Sequence, residues 1–135
     1  SISGNGNSYL AAVTGNVGIG TTSPAAKLQV TGGQMLSSQY TVATGATVDF
    51  NNGNLQVLSS VGGTAITLNN MLDGGAYTLI VADTTSRTYT FTNCSTSHFS
   101  PANAATVATK MTIYSILKVT ISSSTHCFIS WVSNL

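Results

Sequence analysis

ATVDFNNGNLQVLSSVGGTAITLNNMLDGGAYTLIVAD, residues 46–83, sets apolar and polar residues in alternating short runs and breaks each run with Gly, Asn or Asp. Ala46, Val48 and Phe50 alternate with Thr47 and Asp49, the period of two that a half-buried strand requires. Asn51-Asn52-Gly53-Asn54 predicts a turn, because Asn and Gly tolerate positive φ. Leu55 and Val57 form the next apolar face, Gly62-Gly63 turns the chain, and Ile66 and Leu68 follow. Asp73-Gly74-Gly75 turns it once more, ahead of an apolar face made by Tyr77, Leu79 and Val81.

The pattern continues outward. Tyr89 and Phe91 alternate with Thr88, Thr90 and Thr92, and residues 93–105 read as the longest loop. Two longer strands close the chain, near 111–121 and 126–133, and almost no helical period occurs anywhere. The expected fold class is all-β, an antiparallel β-sandwich or jelly-roll-like tip of about eight strands. The last two strands are apolar on both faces. Met111, Ile113, Leu117 and Val119 share one face and Tyr114 and Ile116 the other, while Cys127, Ile129 and Trp131 oppose Phe128 and Val132. A strand in a two-layer domain needs one dry face, so a second implies another layer or another subunit. Tyr114, Ile116, Phe128 and Val132 are therefore expected at a contact between chains.

At 135 residues the chain is in the single-domain range. Charged residues are 5% of it, against about 25% in ordinary globular domains, yet its apolar content is too high for a disordered tract. A net charge of +1, with only Lys27, Arg87, Lys110 and Lys118 as strong cations, excludes the basic footprint of a nucleic-acid binder and argues against electrostatic docking on anionic lipid. No apolar run reaches the roughly 18 residues of a membrane span. Cys94 and Cys127 are either one disulfide or two separate buried thiols, and no Cys/His spacing suggests a metal.

GNVGIGTTSPAAKLQVTGG, residues 15–33, poses a different problem. Val17, Ile19, Leu28 and Val30 sit at strand-like spacing in a piece too short to bury them. Ser23-Pro24 predicts an N-cap and about one helical turn through Ala25, Ala26 and Lys27. Three identical chains around one axis would let the four apolar residues of each copy bury those of the others. A first residue of Ser within repetitive sequence suggests a piece of a longer chain.

The NVGIGTTSP motif resembles the repeats of phage tail-fibre proteins and of fibre-like bacterial surface proteins, among them the chimeric trimeric fibres of predatory bacteria such as Bdellovibrio. VDFNNGNLQVLSS, AITLNNMLDGGAYTLIVAD and KMTIYSILKVTISSSTHCFISWVSNL resemble, in order, the C-terminal tip of such fibres. The resemblance implies a homotrimeric extracellular fibre, with a stem over residues 1–33 and a receptor-binding tip over 34–135. Some related fibres end in a self-cleaving chaperone domain; these residues, which close on an apolar strand, give no expectation of one.

An inventory of reactive groups argues against catalysis. The chain has no Glu, and Asp49, Asp73 and Asp83 occupy a strand, a turn and a strand end, whereas glycoside hydrolysis uses two carboxylates flanking one bond. Of two Cys/His pairs, Cys127 and His126 are poorly placed because neighbours in a strand point to opposite faces, and His98, four residues from Cys94, reads as a loop residue. Glycan binding needs flat apolar surfaces and neutral hydrogen-bonding groups. Arg87, His98, Phe99 and His126 are the candidates: Arg87 for an acidic sugar, or for a pairing with Asp83, and Phe99 to stack on a ligand, or to plug the core. The expected function is non-enzymatic adhesion to a bacterial envelope polysaccharide or surface protein, without cofactor or metal. The alternatives are a structural trimerisation cap and a glycan-degrading enzyme.

Overall fold

The computed structural model describes residues 15–32, 39–42, 45–59 and 61–135. Residues 1–14 and 33 of the expected stem lie outside the described residues. The chain divides into two units, Ser1–Leu36 and Ser37–Leu135.

In the first unit β1 (Val17–Ile19) pairs in parallel with β2 (Leu28–Val30), Val17 opposite Leu28 and Ile19 opposite Val30. With a period of two, all four apolar residues project from one face, and Ile19 and Leu28 remain 56% and 51% exposed. A Cβ on Gly18 would come within 2.3 Å of the Thr21 carbonyl oxygen, and one on Gly20, whose φ is +76°, equally close to that of Thr31. The helical turn expected at Ala25–Lys27 is absent. Asn16 donates to the Pro24 carbonyl at 2.9 Å and the Ala25 N–H donates to Gln29 Oε1 at 2.7 Å, so side chains take the groups that a helix would have paired.

The second unit begins as a coil. β3 (Gln39–Val42), β5 (Leu55–Leu58) and β7 (Ala76–Val81) lie in one sheet, and β4 (Thr47–Asp49), β6 (Ala65–Asn69) and β8 (Thr90–Thr92) in another. The chain thus alternates between sheets, and each pass adds a parallel strand to each. The link between parallel neighbours is the strand in the opposite sheet, which supplies the crossover length that parallel pairing demands. The first sheet is extended by β10 (Thr112–Ile121) and β11 (Ser124–Val132), antiparallel to each other, and ends at β9 (Thr96–Ser100), parallel to β11. Ser122 and Ser123, at φ +49° and +66°, form the two-residue hairpin between β10 and β11. The order of the six strands is β3-β5-β7-β10-β11-β9.

The unit is all-β, as expected, but the expected antiparallel arrangement is not the one formed. Five of its seven strand pairings are parallel. Alternation along a strand marks its faces and is silent on the direction of its neighbour. The segment 93–105, expected as a loop, contains β9. Cys94, just ahead of β9, forms a disulfide with Cys127 on β11. Their 33-residue separation contributes about 3–4 kcal/mol on a loop-entropy account.

One core cluster draws on both sheets: Val48, Ile66, Leu68 and Phe91 from the three-stranded sheet, and Leu58, Leu79, Val81, Tyr114, Ile116, Cys127 and Ile129 from the six-stranded one. Phe91 meets Tyr114 edge-on at 5.1 Å, and Phe50 packs on Tyr77 at 4.4 Å. Two expectations about faces are overturned here. Leu55 and Val57 do not form the buried face of β5; Gln56 and Leu58 do, both at 0% exposure. Their register opposite Leu79 and Val81 decides this. Gln56 donates from Nε2 to the Gly53 carbonyl at 2.8 Å. Tyr114 and Ile116 are not at a contact between chains, since they are 0% and 2% exposed within their own. Both faces of β10 are apolar, so its register with β7 and β11, not its composition, selects the buried one.

Ile116→Ala should therefore cost about 2–5 kcal/mol, while Leu117→Ala, at 42% exposure, should cost under about 1 kcal/mol. Urea midpoints of the two variants check the order; a larger loss for Leu117 would reverse the assigned faces.

Candidate functional site

The outward face of the six-stranded sheet carries rows set by strand register. Thr78, Ser115, Ser130 and Ser100 align across β7, β10, β11 and β9. On one side of them run Ala76, Leu117, Phe128 and His98, and on the other Ile80, Ile113 and Val132. Small hydroxyl residues between bulky ones make a trough. It is a groove of about 500 Å³ lined by the hydroxyl row and the Leu117–Phe128–His98 side. A second hollow of about 250 Å³ shares Ser100, Ser115 and Ser130 and reaches Pro101, Ile113, Trp131 and Val132. No Lys, Arg, Asp or Glu lines either hollow.

Parallel pairing of β9 with β11 assembles the aromatic wall. His98 lies opposite Phe128, one position from His126 along the same face. The His98 ring stacks on Phe128 with centroids 4.8 Å apart at 14°, and lies edge to edge with His126, centroids 5.3 Å apart and planes within 20°. His98 Nε2 and His126 Nδ1 are 3.0 Å apart, close enough for the N–H of one ring to donate to the bare nitrogen of the other. That bond fixes the orientation of the His98 ring against Phe128. Such aromatic pairs contribute about 0.5–1.5 kcal/mol beyond area, which keeps the wall in place while Phe128 remains 42% exposed.

Of the residues expected at a binding site, His98 and His126 are thus brought together. Phe99 is not with them. It faces inward, stacked 6.0 Å from Phe91 and packed on the core. Arg87 is also elsewhere, donating from Nε to Asp83 Oδ2 at 2.9 Å. Phe128, expected between chains, lines the groove. The hydroxyl row went unrecognised, although β10 and β11 carry a signal for it: their outward faces read Ile113-Ser115-Leu117 and Phe128-Ser130-Val132, a small residue between two large ones.

The Asp83 cluster is a structural knot. Tyr89 OH donates to Asp83 Oδ2 at 2.6 Å and the Thr85 N–H donates to Oδ1 at 3.3 Å. Thr106 holds the same turn, accepting from the Arg87 N–H at 3.1 Å and donating to the Arg87 carbonyl at 3.2 Å. Burial raises the pKa of the Asp83 carboxyl, but hydrogen bonds from Tyr89, Arg87 and Thr85 and the charge of Arg87 together hold it below the ordinary carboxylate value. Burial, then the hydrogen bond to Asp83 and its charge, push the Tyr89 hydroxyl upward. Burial pushes Tyr114 up to about 12, and its hydroxyl has no hydrogen-bond partner among the described residues. Asp49 accepts from the Asn70 side chain and the Asn51 N–H, which lower its pKa.

The groove offers hydrogen-bonding hydroxyls and flat apolar surface. Both cysteines are in the disulfide, so neither supplies a thiolate. Among the described residues no group of three His, Cys, Asp or Glu side chains is placed to hold a metal, and no helix is long and apolar enough to cross a membrane. No protein family matches the chain, and no curated protein or solved structure matches it either.

The pKa shifts give stability a pH dependence at both ends. Asp83 and Asp49 have folded pKa values below the ordinary 3.8, so as pH falls through 3.8 the unfolded chain binds protons first and stability is lost. Tyr89 and Tyr114 are raised above 10.0, so above pH 10 the unfolded chain ionises first and stability falls again. Urea midpoints should fall below about pH 4 and again above about pH 10, and Asp83→Asn should flatten the acid limb.

Proposed function

We propose that the chain is the tip of a homotrimeric extracellular fibre and acts as a non-enzymatic adhesin for a bacterial envelope polysaccharide. The observation that carries this reading is the stacked His98–Phe128 pair, with His126 bonded to its edge, standing beside a row of hydroxyls. Sugar rings present apolar C–H faces and many hydroxyls. Phe128 offers a flat apolar surface to the former, and Thr78, Ser115, Ser130 and Ser100 offer donors and acceptors to the latter. Binding of this kind is reversible and moves no proton. Asp49 and Asp83 spend their carboxylates on local hydrogen bonds, which favours binding over hydrolysis.

Two further features support the setting. The Cys94–Cys127 disulfide suits an oxidising, extracytoplasmic environment. The exposed apolar face of β1 and β2 suits burial by identical copies, with Val17, Ile19, Leu28 and Val30 as the contact. In the tip, taken as a β-sandwich, Tyr114 and Ile116 leave the set of interface residues for the core, and Phe128 and Val132 leave it for the groove and its second hollow.

Purified chain should sediment with envelope polysaccharide from a susceptible bacterium. Phe128→Ala and His98→Ala should each weaken that binding at least tenfold, with near-ultraviolet circular dichroism unchanged. An intact fold that binds no envelope fraction would leave a structural cap, and release of reducing ends would point to an enzyme. Light scattering should give the mass of three chains, each 13.8 kDa. Ile19→Asp combined with Leu28→Asp should lower that mass, because charges would have to be buried without partners; a trimer surviving both changes would place the contact elsewhere.

A further inference from the structure

The serine trough has a chemistry and a length, and both narrow what it can hold. Neither hollow is lined by a charged side chain. The strongest candidate cation for an acidic sugar, Arg87, is engaged by Asp83, and Lys118 donates from Nζ to the Met71 carbonyl at 2.7 Å. A uronate or phosphate in the trough would lose its hydration and find hydroxyls and the His98 imidazole but no Lys or Arg, which costs more than those hydrogen bonds return. An uncharged sugar loses little and keeps its hydroxyls paired.

The hydroxyl row crosses four adjacent strands, Thr78 on β7 to Ser100 on β9. Three strand spacings of about 4.8 Å make it about 14 Å long, room for about three pyranose rings end to end. The second hollow shares Ser100, Ser115 and Ser130 with the first, so the trough continues beyond the serines toward Ile113 and Val132. One wall is the Phe128 ring, exposed enough to lie against a sugar face.

We infer that the trough binds an uncharged stretch of at least three consecutive sugars of a polysaccharide, lying across the strands. This rests on the adhesin reading and specifies its ligand. The serine row spaces the sugars and Phe128 orients one of them. Length and lack of charge, rather than a particular ionic group, are what the site selects.

The test is calorimetric titration of the full chain with the hexasaccharides of maltose, cellulose, laminarin and mannan type, and with hexagalacturonate, in 50 and 500 mM NaCl. At least one neutral hexamer should bind, with less than a twofold change in affinity between the salts. Its monosaccharide should bind at least a hundredfold more weakly. Ser130→Leu, which fills the trough on an exposed face, should weaken binding at least tenfold, and Phe128→Ala likewise. Arg87→Ala should leave it unchanged. Preferential binding of hexagalacturonate, a tenfold loss in high salt, or full affinity in Ser130→Leu would each overturn the inference. If envelope polysaccharide binds, but through Arg87 and not through Ser130, the adhesin reading stands and this one falls. If neither the hexamers nor envelope polysaccharide binds, both fall.

Discussion

The β7–β10–β11 register is the constraint on which the second unit depends. β10 is apolar on both faces, and a strand has a side-chain period of two, so a slip of one residue would exchange its buried and exposed sets completely. Pairing Tyr114 with Leu79 on one side and Trp131 on the other commits the even-numbered residues to the core. Tyr114 and Ile116 then complete the cluster that Val48, Ile66 and Phe91 begin from the other sheet. The same commitment sends Ser115 and Leu117 outward. Core and groove are therefore two faces of one choice of register.

Parallel pairing has a second consequence. A coil places side chains from distant parts of the sequence in columns: Tyr40, Gln56 and Leu79 in one sheet, and Thr47, Thr67 and Thr92 in the other. Thr92 donates to Thr67 across such a column at 3.0 Å, and Asn93 to Asn69 at 2.9 Å. Polar ladders of this sort satisfy an outward face without charge, which fits a chain only 5% charged. Four of its seven charged side chains are tied into the fold: Asp49 to Asn70 and the Asn51 N–H, Asp83 to Arg87 and Tyr89, and Lys118 to a main-chain carbonyl. A surface so poor in free charge suits a ligand recognised by shape and hydroxyl pairing.

The proposed site gains its rigidity from the same elements. The disulfide joins the start of β9 to β11, and β9 carries His98 while β11 carries His126 and Phe128. The wall of the groove is thus held by a covalent link, a parallel ladder and a ring-to-ring hydrogen bond. Phe99, next to His98, anchors the strand from beneath by stacking on Phe91. A preorganised wall pays less entropy on binding than a mobile loop would.

Much of this could be read from residue order alone. Alternation and turn residues locate most strands, because period two and positive-φ preferences are local properties; the Asn51-Asn52-Gly53-Asn54 turn, the Asp73-Gly74-Gly75 turn and the two closing strands are examples. His98 and His126 stood out for their chemistry, and Arg87 had Asp83 within reach. The errors have one physical origin. Alternation does not reveal a strand's partner, its direction or which of two apolar faces is dry, so by itself it points to the wrong face of β5, sets Tyr114 and Ile116 outside, and carries no sign of the parallel coil. The serine row needed three registers at once, none of them local. Composition and periodicity settled the fold class and the scarcity of charge, because those are properties of the chain itself. The core and the groove were settled by pairing between segments far apart in sequence, because only a paired neighbour tells a two-faced strand which side to bury.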